Sequence, residues 1–277
     1  MGEGIIEMKK IKESFVMIAQ SFAILFVFVL PFKVNVQEIF KQYLTNNYPT
    51  PENYWVYLPL SYGNIAISIL ISGLLYWKIR KNNSNMFMNR DTNVYHDYPY
   101  VWYLYCAKVL GIKKCNLINV PIYMQIKLSI HQIFDEYPLN DSEYPIDENE
   151  VVSVLKENED ASKQVCNLIL EDTYPIEEIQ IPRNVRKHYT VKVSRHSSGD
   201  FGRHYSEKFI TQTINEVRSL PNDITLNVFA TTNPKNSLNI AKQVFAQAER
   251  GNVSHIYVFQ QRKTGRRIFE EKGKRIY

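Results

Sequence analysis

Two long uncharged stretches dominate the hydrophobic pattern of the first third of the chain. They are 15-FVMIAQSFAILFVFVLPF-32 and 55-WVYLPLSYGNIAISILISGLLYW-77. A helix of about 20 apolar residues crosses roughly 30 Å of hydrocarbon, so the pattern predicts two transmembrane spans. The first stretch is longer than the apolar part of a usual signal peptide, and no small-x-small cleavage site follows it, which favours a membrane anchor.

The flanking charges predict how these spans are oriented. Basic residues lie on the outer sides of the pair: Lys9, Lys10 and Lys12 before the first span, and Lys78, Arg80 and Lys81 after the second. The connecting residues 33–54 carry balanced charges. By the positive-inside rule, residues 1–82 form a multi-pass hairpin in the inner or plasma membrane, with both termini in the cytoplasm.

A polar stripe runs along the second stretch at roughly helical spacing: Ser61, Asn64, Ser68 and Ser72. In lipid such a stripe requires a protein partner or water. Two interpretations remain open. The polar residues bond within a simple two-helix anchor, or they mediate self-association around a pore.

The middle of the chain has weaker patterns. Residues 83–98 are polar and unpatterned, which predicts a linker. Residues 99–111 predict a short helix that ends at Gly111. The β-branched run 115–130 predicts a strand, and 147–171 predicts one or two helical pieces with acidic residues at the N-terminus.

The last hundred residues alternate between strand and helix patterns. Strands are predicted at 188–194, 224–230 and 253–260. Helices are predicted at 204–219 and from Asn236 or Ser237, as the N-cap, to about residue 249. A turn at 263–267 leads to a final basic strand at 268–277. This order is typical of a parallel, right-handed α/β unit, and 99–277 is predicted to be one cytosolic α/β domain, clearest at 186–277.

The net charge of +5 hides a strong asymmetry. Residues 135–178 hold 14 of the 28 acidic residues, whereas 183–277 hold 18 Lys and Arg against seven Asp and Glu. A basic segment of this kind favours an anionic partner such as phosphate, a nucleotide or acidic lipid. Its alternative role is to pair with the acidic segment of the same chain.

Two loops of the basic segment are candidate binding sites. In parallel α/β units, ligands bind past the carboxyl ends of the strands, near helix N-termini. The loops 194–203 and 231–237 both follow predicted strands and are rich in hydroxyls, amides and cations. From the first loop and the C-terminal turn we expect these ligand contacts: Ser194, Arg195, Ser197, Ser198, Arg203, Lys263 and Arg266. The alternative is that these residues only form turns and caps.

The sequence contains none of the common catalytic or metal-binding motifs. There is no GxGxxG, GxxxxGK[ST], HExxH or GxSxG pattern. Three cysteines without CxxC spacing argue against a disulfide framework and a zinc site. Glu270-Glu271-Lys272 is similar to half of a nuclease motif, with Asp200 or Asp223 as weak candidates for its missing aspartate. We therefore expect no enzyme, no catalytic residue, no metal site and no DNA binding.

The stretch 224-ITLNVFATTNPKNSLNIAKQVFAQAERGNVSHIYVFQ-260 resembles the closing half of SAVED domains, the CARF-like sensors of cyclic oligonucleotides in bacterial antiphage signalling (CBASS). The resemblance lies in the order of an apolar strand, a loop with one proline, a helix and a strand. Two departures are 238-LNIAKQ-243 in the helix, where small residues are expected, and Val258, where an acidic residue often follows the tyrosine.

The resemblance implies a CARF/Rossmann-like domain fused to two membrane helices. Such an effector binds a cyclic oligonucleotide as its activating ligand, forms a homo-oligomer and disrupts the inner membrane; no further cofactor is expected. Carried over by position, the ligand contacts are Thr231, Thr232, Asn233, Lys235 and Ser237. Two other functions remain open: a membrane-tethered enzyme acting on a nucleotide or phosphorylated substrate, and an anchored scaffold whose basic face binds acidic lipid.

Overall fold

The computed structural model describes residues 2–39, 62–196, 202–246, 251–262 and 265–276. The chain forms two compact units. The N-terminal unit comprises residues 1–94 and 101–115, and the C-terminal unit comprises 95–100 and 116–277. The predicted domain borders at residues 82 and 98 stay a prediction.

Two long helices form most of the N-terminal unit. Helix α1 spans Gly2–Val34 and helix α2 spans Gly63–Asn83. Within α1, Ser14–Val34 has a mean hydropathy of 2.4, and it is the one helical segment among the described residues that is long and apolar enough to cross a membrane. Of the second predicted span, 63–77 is helical, and 55–61 lie outside the described residues.

The two helices contact each other in antiparallel orientation. The side-chain amides of Gln20 and Asn83 exchange two hydrogen bonds of 2.9 Å. Near the other end, Asn64 Oδ1 accepts a bond of 2.9 Å from the Gln37 backbone N–H. Gly63 allows this close approach, because a Cβ there would lie 3.3 Å from the Gln37 Cα.

Most residues of the polar stripe of α2 are hydrogen-bonded or buried within the N-terminal unit. Asn64 bonds to Asn35 and Gln37, while Ser68 and Ser72 are buried, and the Ser72 hydroxyl donates to the carbonyl of Ser68. Ser61 lies outside the described residues. This arrangement favours the interpretation in which the stripe packs within the helix pair.

A short helix and a small sheet complete the N-terminal unit. Helix α3 spans Tyr100–Lys108 and is followed by Gly111 at φ +78°, which confirms the helix predicted there. Strands β1 (Phe87–Met88) and β2 (Lys114–Cys115) pair in parallel. The segment 83–98, predicted to be a linker, therefore contains a strand.

A six-stranded mixed sheet is the centre of the C-terminal unit. Its strands are β3 (Val151–Glu157), β4 (Val165–Glu171), β5 (Tyr189–His196), β6 (Ile224–Ala230), β7 (Val253–Phe259) and β8 (Lys274–Arg275). Their order is β3-β5-β4-β6-β7-β8. The four central strands are parallel, and β3 and β8 are antiparallel to their neighbours.

The two faces of this sheet are covered differently. The helices are α4 (Ile122–Ile130), α5 (Glu207–Arg218) and α6 (Pro234–Ile240), which continues as a π-helical turn at Ala241–Phe245. They pack on the face that carries Leu168, Val191 and Leu226. The opposite face carries Ile169, Phe229 and Phe259, and irregular segments cover it through Ile176, Ile181, Val185 and Phe269.

The sequence predictions for the C-terminal unit are partly confirmed. The strand at 224–230 is correct at both ends, and the helix at 204–219 corresponds to α5. The alternating strands and helices form the expected parallel α/β arrangement. The final strand β8 is much shorter than 268–277, since its described part is Lys274–Arg275, and Phe269 forms an isolated bridge to Gln261.

Two predictions for the middle of the chain were wrong. Residues 147–171 contain β3 and β4 instead of helices, since 165-VCNLILE-171 is a strand buried on both faces. Most of 115–130 is helix α4 instead of a strand. Its buried Met124, Gln125, Leu128 and Ser129 share one helical face, a spacing that the β-branched composition masked.

A buried cysteine on the central strand β4 should make the stability of the fold depend on pH. Burial raises the pKa of the Cys166 thiol from 9.0 to about 12. Below pH 9 the thiol is protonated in both the folded and the unfolded chain, so the free energy of unfolding does not depend on this group there. Above pH 9 the unfolded chain loses this proton first, and we expect the free energy of unfolding to fall by up to about 1.4 kcal/mol per pH unit.

Cys166→Ala should remove this component. The measurement is thermal unfolding of the full chain in detergent micelles between pH 7 and 11, for both proteins. The wild-type melting temperature should fall more steeply above pH 9 than that of the variant. Equal slopes would contradict the assignment.

Candidate functional site

The carboxyl edge of the parallel strands collects the polar residues of the C-terminal unit. Strands β5, β4 and β6 are adjacent and parallel, so the residues that follow each of them meet at this edge. The chain leaves β4 toward β5 on one side and later occupies β6 and β7 on the other. A reversal of this kind is where α/β sheets bind their ligands.

A buried carboxylate organises the edge. Asp172, directly after β4, is 5% exposed. Its Oδ1 accepts a bond of 2.7 Å from Arg195 Nε. Its Oδ2 accepts from the Asn233 backbone N–H at 2.9 Å, the Asn233 side-chain amide at 2.8 Å and the Asn236 side-chain amide at 2.9 Å. A buried charge needs such partners, so Asp172 ties the start of the loop after β4 to the end of β5 and to the loop and helix after β6. We call this group of side chains the Asp172 hub.

A second acid lies on the far side of the arginine. Arg195 Nη1 is 3.9 Å from Glu150 Oε2, and these two side chains are 1% and 3% exposed. Glu150 Oε1 accepts a bond of 2.6 Å from Ser206 Oγ. Ser206 also caps α5, because its Oγ accepts from the Phe209 N–H at 3.0 Å. The guanidinium therefore links the start of α5 to the end of β4.

The cap of α6 differs from the prediction. Asn236 and Ser237 were predicted as possible caps, but Asn233 is the N-cap, and its Oδ1 accepts from the N–H groups of Lys235 and Asn236 at 3.0 Å. Pro234 at the first helical position requires no hydrogen bond there and favours this earlier start.

The predicted ligand contacts divide into buried and exposed groups. Six are buried: Ser194, Arg195, Thr231, Thr232, Asn233 and Ser237. Two are exposed, Arg203 and Arg266, and Lys235 is half-buried. The remaining three, Ser197, Ser198 and Lys263, lie outside the described residues.

The buried contacts are engaged with protein groups. Ser194 donates to Glu171 Oε2 at 2.6 Å, and Thr231 Oγ1 donates to the Tyr174 carbonyl at 2.8 Å. The hydroxyls of Thr232 and Ser237 lie 2.7 Å apart. These side chains shape the edge from within, and the surface of the edge is formed by their neighbours.

Two pairs of a cation and an aromatic ring form part of that surface. Lys235 Nζ lies 4.7 Å from the centre of the Tyr205 ring and 2.7 Å from Asp141 Oδ1. Arg267 Cζ lies 4.4 Å from the centre of the Tyr174 ring. One pair belongs to the loops after β5 and β6, and the other to the loops after β4 and β7.

The Tyr174 hydroxyl is held as a hydrogen-bond donor. It donates to Gln261 Oε1 at 2.6 Å. Burial raises the pKa of this hydroxyl, and the nearby Arg267 guanidinium opposes the rise. The ring therefore stays neutral and keeps its face toward the arginine.

Sequence reasoning missed several of these residues: Glu150, Asp172, Tyr174, Asn236 as a hub member, Tyr205 and Arg267. The available signal was Asp172 directly after the mostly apolar stretch 165-VCNLILE-171. The helical pattern predicted for 147–171 hides the strand at 165–171, so the sequence pattern does not place Asp172 beside the other two loops.

Two cavities of the C-terminal unit lie away from these residues. One of about 340 Å³ is lined by Ser129, Gln132, Phe134, Asp135, Tyr137, Lys242 and Ala246. Another of about 160 Å³ is lined by Ile214, Val217, Arg218, Gln243, Val244, Gly251 and Asn252. Neither of these two cavities is lined by a predicted ligand contact.

Metal-binding geometry is absent from the described part of the chain: no three His, Cys, Asp or Glu side chains there could share an ion. Of the possible nuclease motif, Glu270 lies 3.4 Å from Lys274 Nζ. Asp223, at the start of β6, lies at the opposite end of that strand from the loop that carries the hub residues.

The Asp172 hub should make a much larger contribution to stability than an exposed ion pair of the same length. Asp172→Asn leaves the buried Arg195 charge poorly compensated, which costs about 3–5 kcal/mol. The matched control is Asp141→Asn, because Asp141 Oδ1 is also 2.7 Å from its cation but the side chain is 91% exposed. It should cost at most about 1 kcal/mol.

Thermal unfolding of both variants in detergent micelles measures this difference. Asp172→Asn should lower the melting temperature several times more than Asp141→Asn. Similar losses would show that the buried carboxylate does not organise the edge.

Comparison with known proteins assigns the chain to a family. Residues 6–277 match the family described as the SMODS- and Ubiquitin system-associated 2TM effector domain. No curated protein matches the chain significantly. The match covers both helices of the N-terminal unit and the whole α/β unit. The chain belongs to the SMODS- and Ubiquitin system-associated 2TM effector family.

Proposed function

We propose that this membrane effector binds a cyclic oligonucleotide at the carboxyl edge of its sheet, forms a homo-oligomer and disrupts the inner membrane in antiphage defence. The observation that carries the proposal is the pair of cation–aromatic contacts, Lys235–Tyr205 and Arg267–Tyr174, beside the Asp172 hub. Family membership supports the effector role, and the resemblance at 224–260 supports the ligand class.

The chemistry of these contacts suits an oligonucleotide. Arginine and lysine bind phosphate, and aromatic rings stack on bases. A cyclic oligonucleotide presents several phosphates and bases in one compact ring, so a surface with repeated cation–aromatic pairs matches it. The exposed Arg203 and Arg266 add positive charge to the same loops.

The hub explains how the surface is held ready for such a ligand. Arg195 is neutralised by Asp172, so its charge serves the protein interior. The starts of the loops after β4 and β6 are fixed by these hydrogen bonds before a ligand arrives. Binding to fixed loops costs less ordering entropy than binding to loops that must first fold.

The N-terminal unit offers the apolar surface that membrane insertion requires. Phe22, Leu25 and Phe26 on α1 are 67%, 61% and 66% exposed. On α2, Ile69 and Leu70 are 60% and 63% exposed. Side chains of this kind are stable when lipid covers them, and association between copies in the bilayer would use the same surfaces.

Calorimetry on the full chain in lipid nanodiscs tests ligand binding. The probes are a panel of cyclic di-, tri- and tetranucleotides. We expect at least one to bind, and Arg267→Ala to weaken that binding at least tenfold. The control is Arg218→Ala, which removes an exposed arginine at the opposite end of α5.

The proposal can fail in two ways. If no member of the panel binds to folded protein, the proposed ligand class is wrong. If Arg218→Ala weakens binding as much as Arg267→Ala, the ligand binds through overall charge, and the proposed edge is not the site.

A further inference from the structure

Helix α3 has an unusual surface for a short helix. Its sequence, YVWYLYCAK, is apolar or aromatic on every side apart from Lys108. Tyr103, Cys106 and Ala107 are buried, yet Val101 is 71% exposed, and Val109, just beyond the helix, is 39% exposed. A helix that is apolar all round requires an apolar environment on each face. The described part of the chain covers only one face of α3.

The buried face of α3 packs on the first turns of the apolar part of α1. Cys106 Sγ lies 3.2 Å from Met17 Sδ, and the Tyr105 hydroxyl lies 2.6 Å from Ser21 Oγ. Both partners on α1 belong to the segment Ser14–Val34, which is long and apolar enough to span a membrane.

The length of α1 fixes the depth of this contact. The 13 residues from Phe22 to Val34 measure only about 20 Å at 1.5 Å per residue, whereas the hydrocarbon is roughly 30 Å thick. A bilayer that covers the apolar part of α1 must therefore reach the level of Met17 and Ser21. Helix α3 lies beside those residues.

The charges of α2 indicate that the level of Met17 and Ser21 lies at the membrane surface. The Gln20–Asn83 bonds align the end of α2 with this part of α1. Arg80 and Lys81 lie within one turn of Asn83, where Lys81 Nζ is 5.2 Å from the centre of the Trp77 ring. Cations and tryptophan at the end of an apolar helix are typical of the headgroup region.

Arg80 fixes α3 at this level. Its Nη1 donates to the carbonyls of Lys108 and Val109, which terminate α3. Gly111 permits the turn, because its φ is +78° and a Cβ there would lie 3.1 Å from Arg80 Cβ. The C-terminal end of α3 is thus attached to the charged end of α2.

We propose that α3 is a third membrane-contacting element, which lies in the headgroup layer with Val101, Trp102 and Val109 toward the lipid. The occupant is the bilayer because the exposed apolar surface continues onto α1, where Phe15 and Ile18 flank the contact residue Met17 and are 65% and 41% exposed. Trp102 stacks on Tyr105 at 5.7 Å, and such rings suit a boundary between water and hydrocarbon. A helix that lies in the membrane interface without crossing the bilayer binds to the membrane through the apolar area that it buries there.

Cysteine labelling of the full chain in nanodiscs tests this placement. Val101→Cys introduces the reactive thiol, and the native Cys106, Cys115 and Cys166 are buried, so the wild type is the blank. The control is Leu155→Cys on β3, a position that is 52% exposed. A charged, membrane-impermeant maleimide should label the Val101→Cys variant at least fivefold more slowly than the Leu155→Cys variant, and both equally fast in denaturant. A smaller difference in nanodiscs would overturn the proposal.

Fluorescence quenching distinguishes lipid from a second copy of the chain as the cover. In a Trp55→Phe/Trp77→Phe variant, Trp102 is the remaining tryptophan. Lipids brominated close to the headgroup should quench it more strongly than lipids brominated near the chain ends. Slow labelling of the Val101→Cys variant without quenching by lipid would show that another copy of the chain covers this surface. Strongest quenching by lipids brominated near the chain ends would show that α3 lies deep in the hydrocarbon. Either result would refute the interfacial position.

Discussion

The carboxylate of Asp172 is the constraint on which the C-terminal unit depends. It stands where three parallel strands end, and its side chain has no access to water. Its four hydrogen bonds come from Arg195 at the end of β5 and from the loop and helix start after β6. Because moving any of these groups would leave a charge unpaired in the interior, this one side chain fixes the end of β5 and the start of α6 against the end of β4.

This constraint also separates structural from binding residues. Arg195 and Asn233 have the chemistry expected of phosphate contacts, but the hub uses their donors. The groups left at the surface beside the hub include Lys235 and Arg267 with their aromatic rings. A ligand would therefore encounter a fixed surface instead of a set of free loops, which favours selectivity among anions.

The N-terminal unit follows a similar rule in an apolar setting. Polar side chains of its helices form hydrogen bonds across the unit: Gln20 bonds to Asn83, Ser21 to Tyr105, and Arg80 to the end of α3. In a bilayer, unpaired polar groups are costly, so these contacts set the register of the helices and the depth at which α3 lies. The short helix at the membrane surface is thus part of the same assembly as the long ones.

Much of the architecture could be predicted from the sequence because its signals are local. The alternation at 224–230, the periodicity of 204–219 and the apolar stretch at 15–32 each indicate their element without tertiary information. The failures have a common physical cause. The run 165–171 is buried on both faces and has no period, so its strand character depends on neighbours that lie far away in sequence.

The candidate site shows the same limit. The loops 194–203 and 231–237 could be predicted to lie near each other, and the structure places their described residues at one edge. Their division into buried and exposed residues could not be predicted, since it depends on Asp172 and on the ring partners Tyr174 and Tyr205, which belong to other segments.

The most direct test of the central claim, a nucleotide-gated membrane effector, is dye release from vesicles that contain the full chain. The probes are cyclic di-, tri- and tetranucleotides, added separately. The account predicts that the vesicles stay intact without nucleotide, release dye with at least one of the probes, and release little with the same probe when the chain carries Arg267→Ala. Vesicles that stay intact with every probe, or that leak equally without nucleotide, would contradict it.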